Sequence, residues 1–323
     1  MRYCDLFCGC GGIASGFSQA GWKCVLAADN DAHALKIYRQ NFSHPCVLHD
    51  LMFPLRDRHR LSRELAEGVV CGGPPCQDFS NCVRRGAKKK AGARAQLTIC
   101  FGHRVIELLP RWVMFENVPN AANTQEFAAL CVILREGGNS FEFRILYMPE
   151  FGMCQKRKRL VLLAHRGPQA VVRRVWQYVD LQTVSRARTV REQFVAHGLP
   201  CPTRYYYYPS PSQEGQSIFH VNEVAPTMRA RCRPMPETYQ FVPADATHHP
   251  TDVFHLTPRH MAAIQHFPRA FQWLDGLVHN SRCIGNAVPP PLAKIIAQAI
   301  TRAPPTPPQL PKRSTGTSKR TFY

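Results

Sequence analysis

Gly72-Gly73-Pro74-Pro75-Cys76-Gln77-Asp78-Phe79-Ser80 follows directly on the apolar run Val69-Val70-Cys71, so a buried strand runs into two glycines, two prolines and a thiol. That order reads as a strand ending in a rigid turn. The prolines fix φ and donate no backbone N–H, which holds Cys76 at the carboxyl edge of a sheet, where open α/β folds place their ligands. A thiol presented there is a candidate nucleophile. A cysteine without such flanks is first of all a small apolar packing residue.

Upstream, Arg2 to Phe7 forms a short strand, and Cys8-Gly9-Cys10-Gly11-Gly12 turns into a helix from about Ile13 to Ala20, stopped by Gly21. The next strand, Cys24 to Ala28, ends in Asp29, 20 residues beyond Gly9. A βαβ nucleotide site places a carboxylate against ribose hydroxyls at this separation, and a dinucleotide dehydrogenase would use the same pair. Asp31 caps a helix through His33, Leu35, Tyr38 and Phe42, a third strand near Cys46 to Leu48 ends at Asp50, and a helix from Leu61 to Glu67 leads into the Val69 strand.

Downstream, residues 79 to 106 contain no Asp or Glu but carry Arg84, Arg85, Lys88, Lys89, Lys90, Arg94 and Arg104. Such a run is a solvated loop or, beside a nucleophile, a loop that closes over a bound nucleic acid and grips its phosphates; the second reading is favoured because phosphate contacts supply much of nucleic-acid affinity. A helix from about Gln96 to Leu109 precedes the strand Trp112 to Phe115, which ends in Glu116-Asn117-Val118-Pro119. A helix from Thr124 to Arg135 and a strand from Phe143 to Met148 come next, before Gln155-Lys156-Arg157-Lys158-Arg159 opens the strand Leu160 to Ala164. Four cations in a row usually make a solvated face; Arg157 and Arg159, if aimed inward from alternate strand positions, would instead hold a phosphate or a base edge. Near His165-Arg166-Gly167-Pro168 the regular alternation stops, and to about Pro250 arginines are interleaved with Tyr205 to Tyr208, a composition suited to stacking and phosphate contact or to a small tyrosine core. Helices resume with Thr257-Pro258 as cap and first turn, and Ile284-Gly285-Asn286-Ala287-Val288-Pro289-Pro290-Pro291 opens a last helix, Leu292 to Ile300.

The 323 residues, 45% hydrophobic, are enough for one large domain or two modest ones with a real core. Lys plus Arg number 41 against 22 Asp plus Glu, a formal charge of +19, which suggests a polyanionic partner. The 14 cysteines are unevenly spaced, no charged-then-apolar leader follows Met1 and no apolar run is long enough to span a bilayer. They read as reduced thiols of an intracellular protein without a membrane segment. Cys4, Cys8 and Cys10 lie around a glycine turn with no second His/Cys pair at finger spacing, so a metal is not expected.

Pro75-Cys76-Gln77 with Phe79-Ser80 behind it resembles the catalytic motif of the cytosine-5 DNA methyltransferases, and the resemblance extends in motif order from about Cys4 to Ile300. It implies an α/β fold, a Rossmann-like class I methyltransferase with a mostly parallel doubly wound sheet plus a small irregular target-recognition lobe. The expected division is a catalytic domain over 1–165, the lobe over 166–250, C-terminal helices completing the catalytic domain over 251–302, and a disordered basic tail over 303–323. Asp5 to Gly12 with Gly16-Phe17 resembles the motif that wraps S-adenosyl-L-methionine. The implied cofactor positions are Phe7, Gly9, Gly11, Asp29, Asp50, Leu51, Pro75, Leu97, Asn286 and Ala287, with Asp29 at the ribose and Asp50 at the adenine. The implied catalytic set is Cys76, Glu116, Arg157 and Arg159; Arg84, Arg85, Lys88, Lys89 and Lys90 are the implied DNA contacts. Pro226-Thr227 is similar to the motif that follows the recognition region, and the short span between Arg159 and that motif argues against extensive base readout.

On that resemblance the chain methylates carbon 5 of a flipped-out cytosine in double-stranded DNA, as a monomer, in cytoplasm or nucleoid if bacterial or phage and in the nucleus if from a eukaryote or its virus. A nicotinamide dehydrogenase leaves Cys76, Glu116 and Arg159 without a role. The family's tRNA-methylating branch carries a late Cys-Phe-Thr tripeptide that this sequence lacks, and a non-enzymatic DNA-binding module does not need the cofactor residues.

Overall fold

The computed structural model describes residues 1–75, 96–212, 215–230 and 232–303. The expectations for Cys76, for the run Arg84, Arg85 and Lys88 to Lys90, and for the tail from 304 onward fall outside the described residues.

The first half alternates strand and helix: β1 (Arg2–Leu6), α1 (Gly12–Gln19), β2 (Lys23–Asp29), α2 (Ala32–Asn41), β3 (Cys46–Leu48), α3 (Arg58–Leu65), β4 (Val69–Gly72), α4 (Gln96–Leu108), β5 (Trp112–Asn117), α5 (Gln125–Glu136), β6 (Ser140–Tyr147) and β7 (Lys158–His165). They build a seven-stranded sheet in the order β3-β2-β1-β4-β5-β7-β6. The pairings from β3 through β5 are parallel, while β7 runs antiparallel to both neighbours. β4 and β5 are buried at every residue, as strands covered on both faces must be.

Side chains of successive residues leave the sheet on opposite faces, and the two faces carry separate cores. Tyr3, Val69, Cys71, Trp112, Met114, Val161 and Leu163 pack with Phe17 of α1 and Tyr38 of α2. Cys4, Leu6, Val70, Val113, Phe115, Leu160 and Leu162 pack with Leu61 of α3, Phe101 of α4 and Leu130 of α5. The expected helix cap at Asp31 is present: its Oδ1 accepts from the backbone N–H of His33 and Ala34 at 3.0 and 3.2 Å.

After β7 the chain departs from the irregular course expected of it. α6 (Gln169–Asp180) is a 12-residue helix whose Val171, Val172, Val175, Trp176 and Val179 join the first core, packed against the sheet with the later helix α10 (Pro290–Arg302). The spacing i, i+1, i+4, i+5, i+8 is a helical stripe, which the surrounding arginines and β-branched valines concealed. α7 (Val190–His197), with a Thr189/Glu192 capping box, precedes a three-stranded sheet in which β8 (Tyr205–Tyr207) lies between β9 (Ile218–His220) and β10 (Val253–His255).

The tyrosine run is mainly core: Tyr206, Tyr207 and Tyr208 are buried and Tyr205 alone is partly exposed. Asp245 binds the surrounding loops together, accepting from the backbone N–H of Ser217, Ile218 and Val242 and from the Tyr239 hydroxyl at 2.7–3.0 Å. α8 (Pro258–Ile264) and α9 (Leu277–Asn286) share a third core with this segment. α10 then returns the chain to the first turn, where Trp22 Nε1 donates to Thr301 Oγ1 at 3.0 Å. No described helix is long and apolar enough to cross a membrane.

Candidate active site

Because β2, β1, β4 and β5 are adjacent and parallel, their carboxyl ends share one edge. Asp29, the glycine turn, the Gly72–Pro75 turn and Glu116 therefore stand side by side, where a doubly wound sheet opens its ligand crevice. At the end of β1, Phe7 takes a left-handed φ of 60° and Gly9 one of 53°. For phenylalanine that backbone is strained, and such strain concentrates at functional sites. Asp29 closes the turn: its Oδ2 accepts from Gly9 N and its Oδ1 from Asp31 N, both at 2.8 Å. Burial pushes this carboxyl up and the two N–H groups pull it down, with a net rise. Each oxygen keeps a lone pair for a ligand hydroxyl.

A Cβ added at Gly9 would meet nothing within 4 Å, so the turn faces open space. Gly11 caps α1 in the left-handed region. A Cβ on Gly12 would lie 2.3 Å from Val288 O and 3.1 Å from Ala287 Cβ, which brings the Ala287-Val288 stretch against the glycine turn. Asn286, the last residue of α9, is exposed, and the Asp31–Arg282 ion pair ties α9 to the start of α2. Asp50 follows β3 and holds its own loop by accepting from Met52 N at 3.0 Å; Leu51 beside it and Leu97 in the first turn of α4 are buried, and Pro75 is half-buried. The strained, open, carboxylate-edged turn fits a nucleoside-bearing cofactor such as S-adenosyl-L-methionine.

Glu116 is buried, 5% exposed, near the end of β5. β7 runs antiparallel to β5, so the start of β7 reaches the same edge, and Arg159 Nε stands 2.9 Å from Glu116 Oε1. Burial raises the Glu116 pKa, against the lowering pull first of Arg159 and then of Arg157. The turn that leads to Cys76 is seated on this carboxyl: a Cβ on Gly73 would lie 3.1 Å from Glu116 Oε2, so only glycine lets the backbone come so near without the carboxyl giving way. Asn117 completes the seat. Its Nδ2 donates to Pro74 O at 3.2 Å while its Oδ1 accepts from Val118 N at 2.8 Å.

The expectation drawn from the sequence gave Asn117 no role. A buried amide, 2% exposed, directly after a carboxylate at a strand end was the available signal, since a buried amide must find partners.

Arg157 is placed differently from the inward strand position expected for it. It precedes β7, is fully buried, and donates to Met228 O at 2.9 Å and to Gly285 O and Ala287 O at 3.0 Å. Arg157 thereby sits in a seam between the segment 153–157, the segment 225–229 and α9. Gln155 lies in the same seam, its Oε1 accepting from Met228 N at 2.8 Å and its Nε2 donating to Gln265 Oε1 at 2.6 Å, while Thr227 Oγ1 donates to Lys156 O at 2.6 Å. A Cβ on Gly285 would lie 2.2 Å from the Arg229 carbonyl carbon, so the two backbones touch there. Arg157 acts on Glu116 through its field, and Arg159 by contact.

The chain is 36% identical over 305 residues to the type II methyltransferase M.HgiDI of Herpetosiphon aurantiacus, covering 93% of this chain and 94% of that protein. It is 30% identical over 306 residues to the type II methyltransferase M.HindV of Haemophilus influenzae, covering 93% and 96%. In fold it is similar to the Entamoeba histolytica methyltransferase EhMeth and to the S. pombe Dnmt2 methyltransferase, each with a TM-score of 0.67 at 16% identity over 93% of this chain and 97% of theirs. Residues 1–302, the glycine turn, the Gly73–Glu116 approach and α10 among them, match the C-5 cytosine-specific DNA methylases, and the chain belongs to that family.

Proposed function

We propose that the chain methylates carbon 5 of cytosine in double-stranded DNA, with Cys76 as nucleophile and S-adenosyl-L-methionine as methyl donor. The observation that carries this reading is the seating of the Gly73-Pro74-Pro75 turn on Glu116 and Asn117. It brings the backbone of Gly73 and Pro74, two to three residues before Cys76, against a buried carboxyl whose pKa burial raises.

Carbon 5 of cytosine is a poor nucleophile. The Cys76 thiolate adds to carbon 6, forming an S–C bond and pushing electron density toward ring nitrogen 3 and carbon 5. Glu116 carries the proton that nitrogen 3 takes up, and Arg159 steadies the carboxylate that remains and holds the base oxygen. When bound, S-adenosyl-L-methionine supplies the electrophilic methyl carbon that carbon 5 attacks. Loss of the carbon 5 proton to solvent then expels the Cys76 sulfur as a thiolate, and the nitrogen 3 proton returns to Glu116, which restores the neutral ring. Phe7, Gly9, Gly11, Asp29, Asp50, Leu51, Pro75, Leu97, Asn286 and Ala287 would hold the cofactor, with Asp29 accepting from ribose hydroxyls. A ring carbon inside a stacked duplex is out of reach, so the target must be flipped out, and Arg84, Arg85 and Lys88 to Lys90 would grip the phosphates around it. Reading of neighbouring bases falls to the lobe within 166–250, in the part that follows α6, since α6 belongs to the sheet core. The chain acts as a monomer.

Bisulfite sequencing of a plasmid expressed with the protein tests this directly. The expected result is protected cytosine within one short repeated sequence, lost in Cys76→Ala. A fully converted plasmid, with the protein soluble and binding the cofactor, would contradict it.

A further inference from the structure

A cavity of about 510 Å³ opens where the end of α7, α8 and the loop 266–273 meet α2; Gln40, His197, Arg259, Arg269, Phe271 and Trp273 line it. The loop is fastened to α2 by Asn41, whose Nδ2 donates to Gln272 O at 2.9 Å and whose Oδ1 accepts from Gln272 N at 2.7 Å. α2 is 10 residues long, so the cavity lies one helix length, about 15 Å, from Asp31 and the sheet edge that carries the proposed active site.

The charge of this cavity is one-sided. Among the described residues no carboxylate lies within ion-pair distance of Arg188, Arg259 or Arg269. The charged groups acting on His197 are Arg269 and Arg188, and those acting on His266 beneath it are Arg188 and His197. The Arg269 guanidinium rests on Gly198, where a Cβ would come within 3.0 Å of Nη2. Arg188 Nη1 donates to Gln193 Oε1 at 3.3 Å, and Gln193 Nε2 stands 3.0 Å from His197 Nε2. An amide nitrogen only donates, so His197 accepts at Nε2 and keeps its proton on Nδ1.

Part of the lining is aromatic. Phe267, Phe271 and Trp273 form a triad with ring centroids 4.7–5.0 Å apart, in which Phe267 is buried and Trp273 half-exposed.

We infer that this cavity binds a nucleotide unit, with its phosphate on Arg269 and Arg259 and its planar ring on Trp273. Guanidinium forks match phosphate oxygens two at a time, an aromatic face takes any base, and the volume lies in the range of small-molecule sites. The unit is a free mononucleotide or one nucleotide of a strand, and the two sources differ in the test below.

Trp273 reports its own occupancy. The other three tryptophans, Trp22, Trp112 and Trp176, are 5%, 2% and 0% exposed, so a ligand that quenches tryptophan emission by contact acts on Trp273. The full chain is titrated with thymidine 5′-monophosphate, thymidine, inorganic phosphate and a short single-stranded oligothymidylate. The nucleotide is expected to quench with saturation, at least tenfold more tightly than thymidine, and phosphate should compete with it. Arg269→Glu should weaken the nucleotide at least tenfold while the melting temperature stays at the parent value. Saturation by oligothymidylate at lower concentration than the mononucleotide identifies a strand as the source; the reverse identifies a free nucleotide. No saturable quenching in the parent, or equal affinity in Arg269→Glu, would overturn the site. Should Arg269→Glu fail to fold, the exposed Arg259→Glu reads the same comparison.

Discussion

Arg157 and Arg159 are two residues apart and serve two regions that work in opposite ways. Arg159 stands at the carboxyl edge of the sheet against Glu116, a titratable partner set beside the turn that leads to Cys76. Arg157 lies in the seam between the lobe and α9, where its guanidinium is taken up by three main-chain carbonyls. A carboxylate partner leaves a proton that can move, whereas carbonyl partners leave only a fixed joint. At the edge a cation sets the charge balance of a buried carboxyl, and in the seam a cation of the same kind fastens the segment 225–229 to the end of α9.

The largest effect is expected in the seam. Arg157→Ala orphans buried carbonyls, at about 1–3 kcal/mol each, and should lower stability by about 3–5 kcal/mol in denaturant unfolding. Loss of activity without loss of stability would move Arg157 from the joint to the chemistry. At the edge the order reverses. Arg159→Ala should cost on the order of a hundredfold in kcat, about 2.7 kcal/mol, with a small change in melting temperature, and Arg159→Lys should recover part of it. A variant that instead unfolds would erase the distinction between the two arginines.

Asn117→Ala removes the hydrogen bond that seats Pro74 and is expected to lower kcat about tenfold, leaving KM for DNA and affinity for the cofactor near the parent values. An effect confined to KM would mean that Asn117 acts on binding and does not position the Cys76 turn.

The smallest effect is a change of slope with pH. Burial raises the Glu116 pKa, so the folded protein binds that proton more tightly than the unfolded chain, and stability falls as pH rises from the ordinary glutamate value through the raised one. A step that needs the proton on Glu116 weakens over the rise through the folded value. Glu116→Gln should therefore run slower and lack that alkaline decline, and a variant that keeps the decline would assign it to another group.

How much of this could be read in advance differs between the same two regions. The sheet edge was readable because parallel strands, buried on both faces, are short apolar runs, and each ends in a glycine turn or a carboxylate whose place follows from chain direction alone. Asp29, Asp31 and Glu116 stand where that grammar put them. The seam was not readable, since its partners, Arg157 with Gly285 and Ala287, or Gln155 with Ile264, are joined over more than a hundred residues by bonds to main-chain atoms that leave no trace in residue type. A spacing of two suggested one strand face for Arg157 and Arg159. β7 begins only at Lys158, so the alternation does not reach back to Arg157. The small sheet was hidden for a related reason: β8 pairs with β10, nearly fifty residues later, and tyrosines that resemble a stacking surface are its core.

The proposed reaction requires Cys76 to become bonded to carbon 6 of cytosine. DNA carrying 5-fluorocytosine in the target sequence measures this. After methyl transfer fluorine occupies the position from which a proton must leave, so the sulfur cannot be expelled and the protein stays attached to DNA. The expected result is a complex that survives denaturing electrophoresis in the parent, forms far more slowly in Glu116→Gln and is absent in Cys76→Ala. A Cys76→Ala protein that still forms the complex or still methylates would place the nucleophile at another residue and contradict the account.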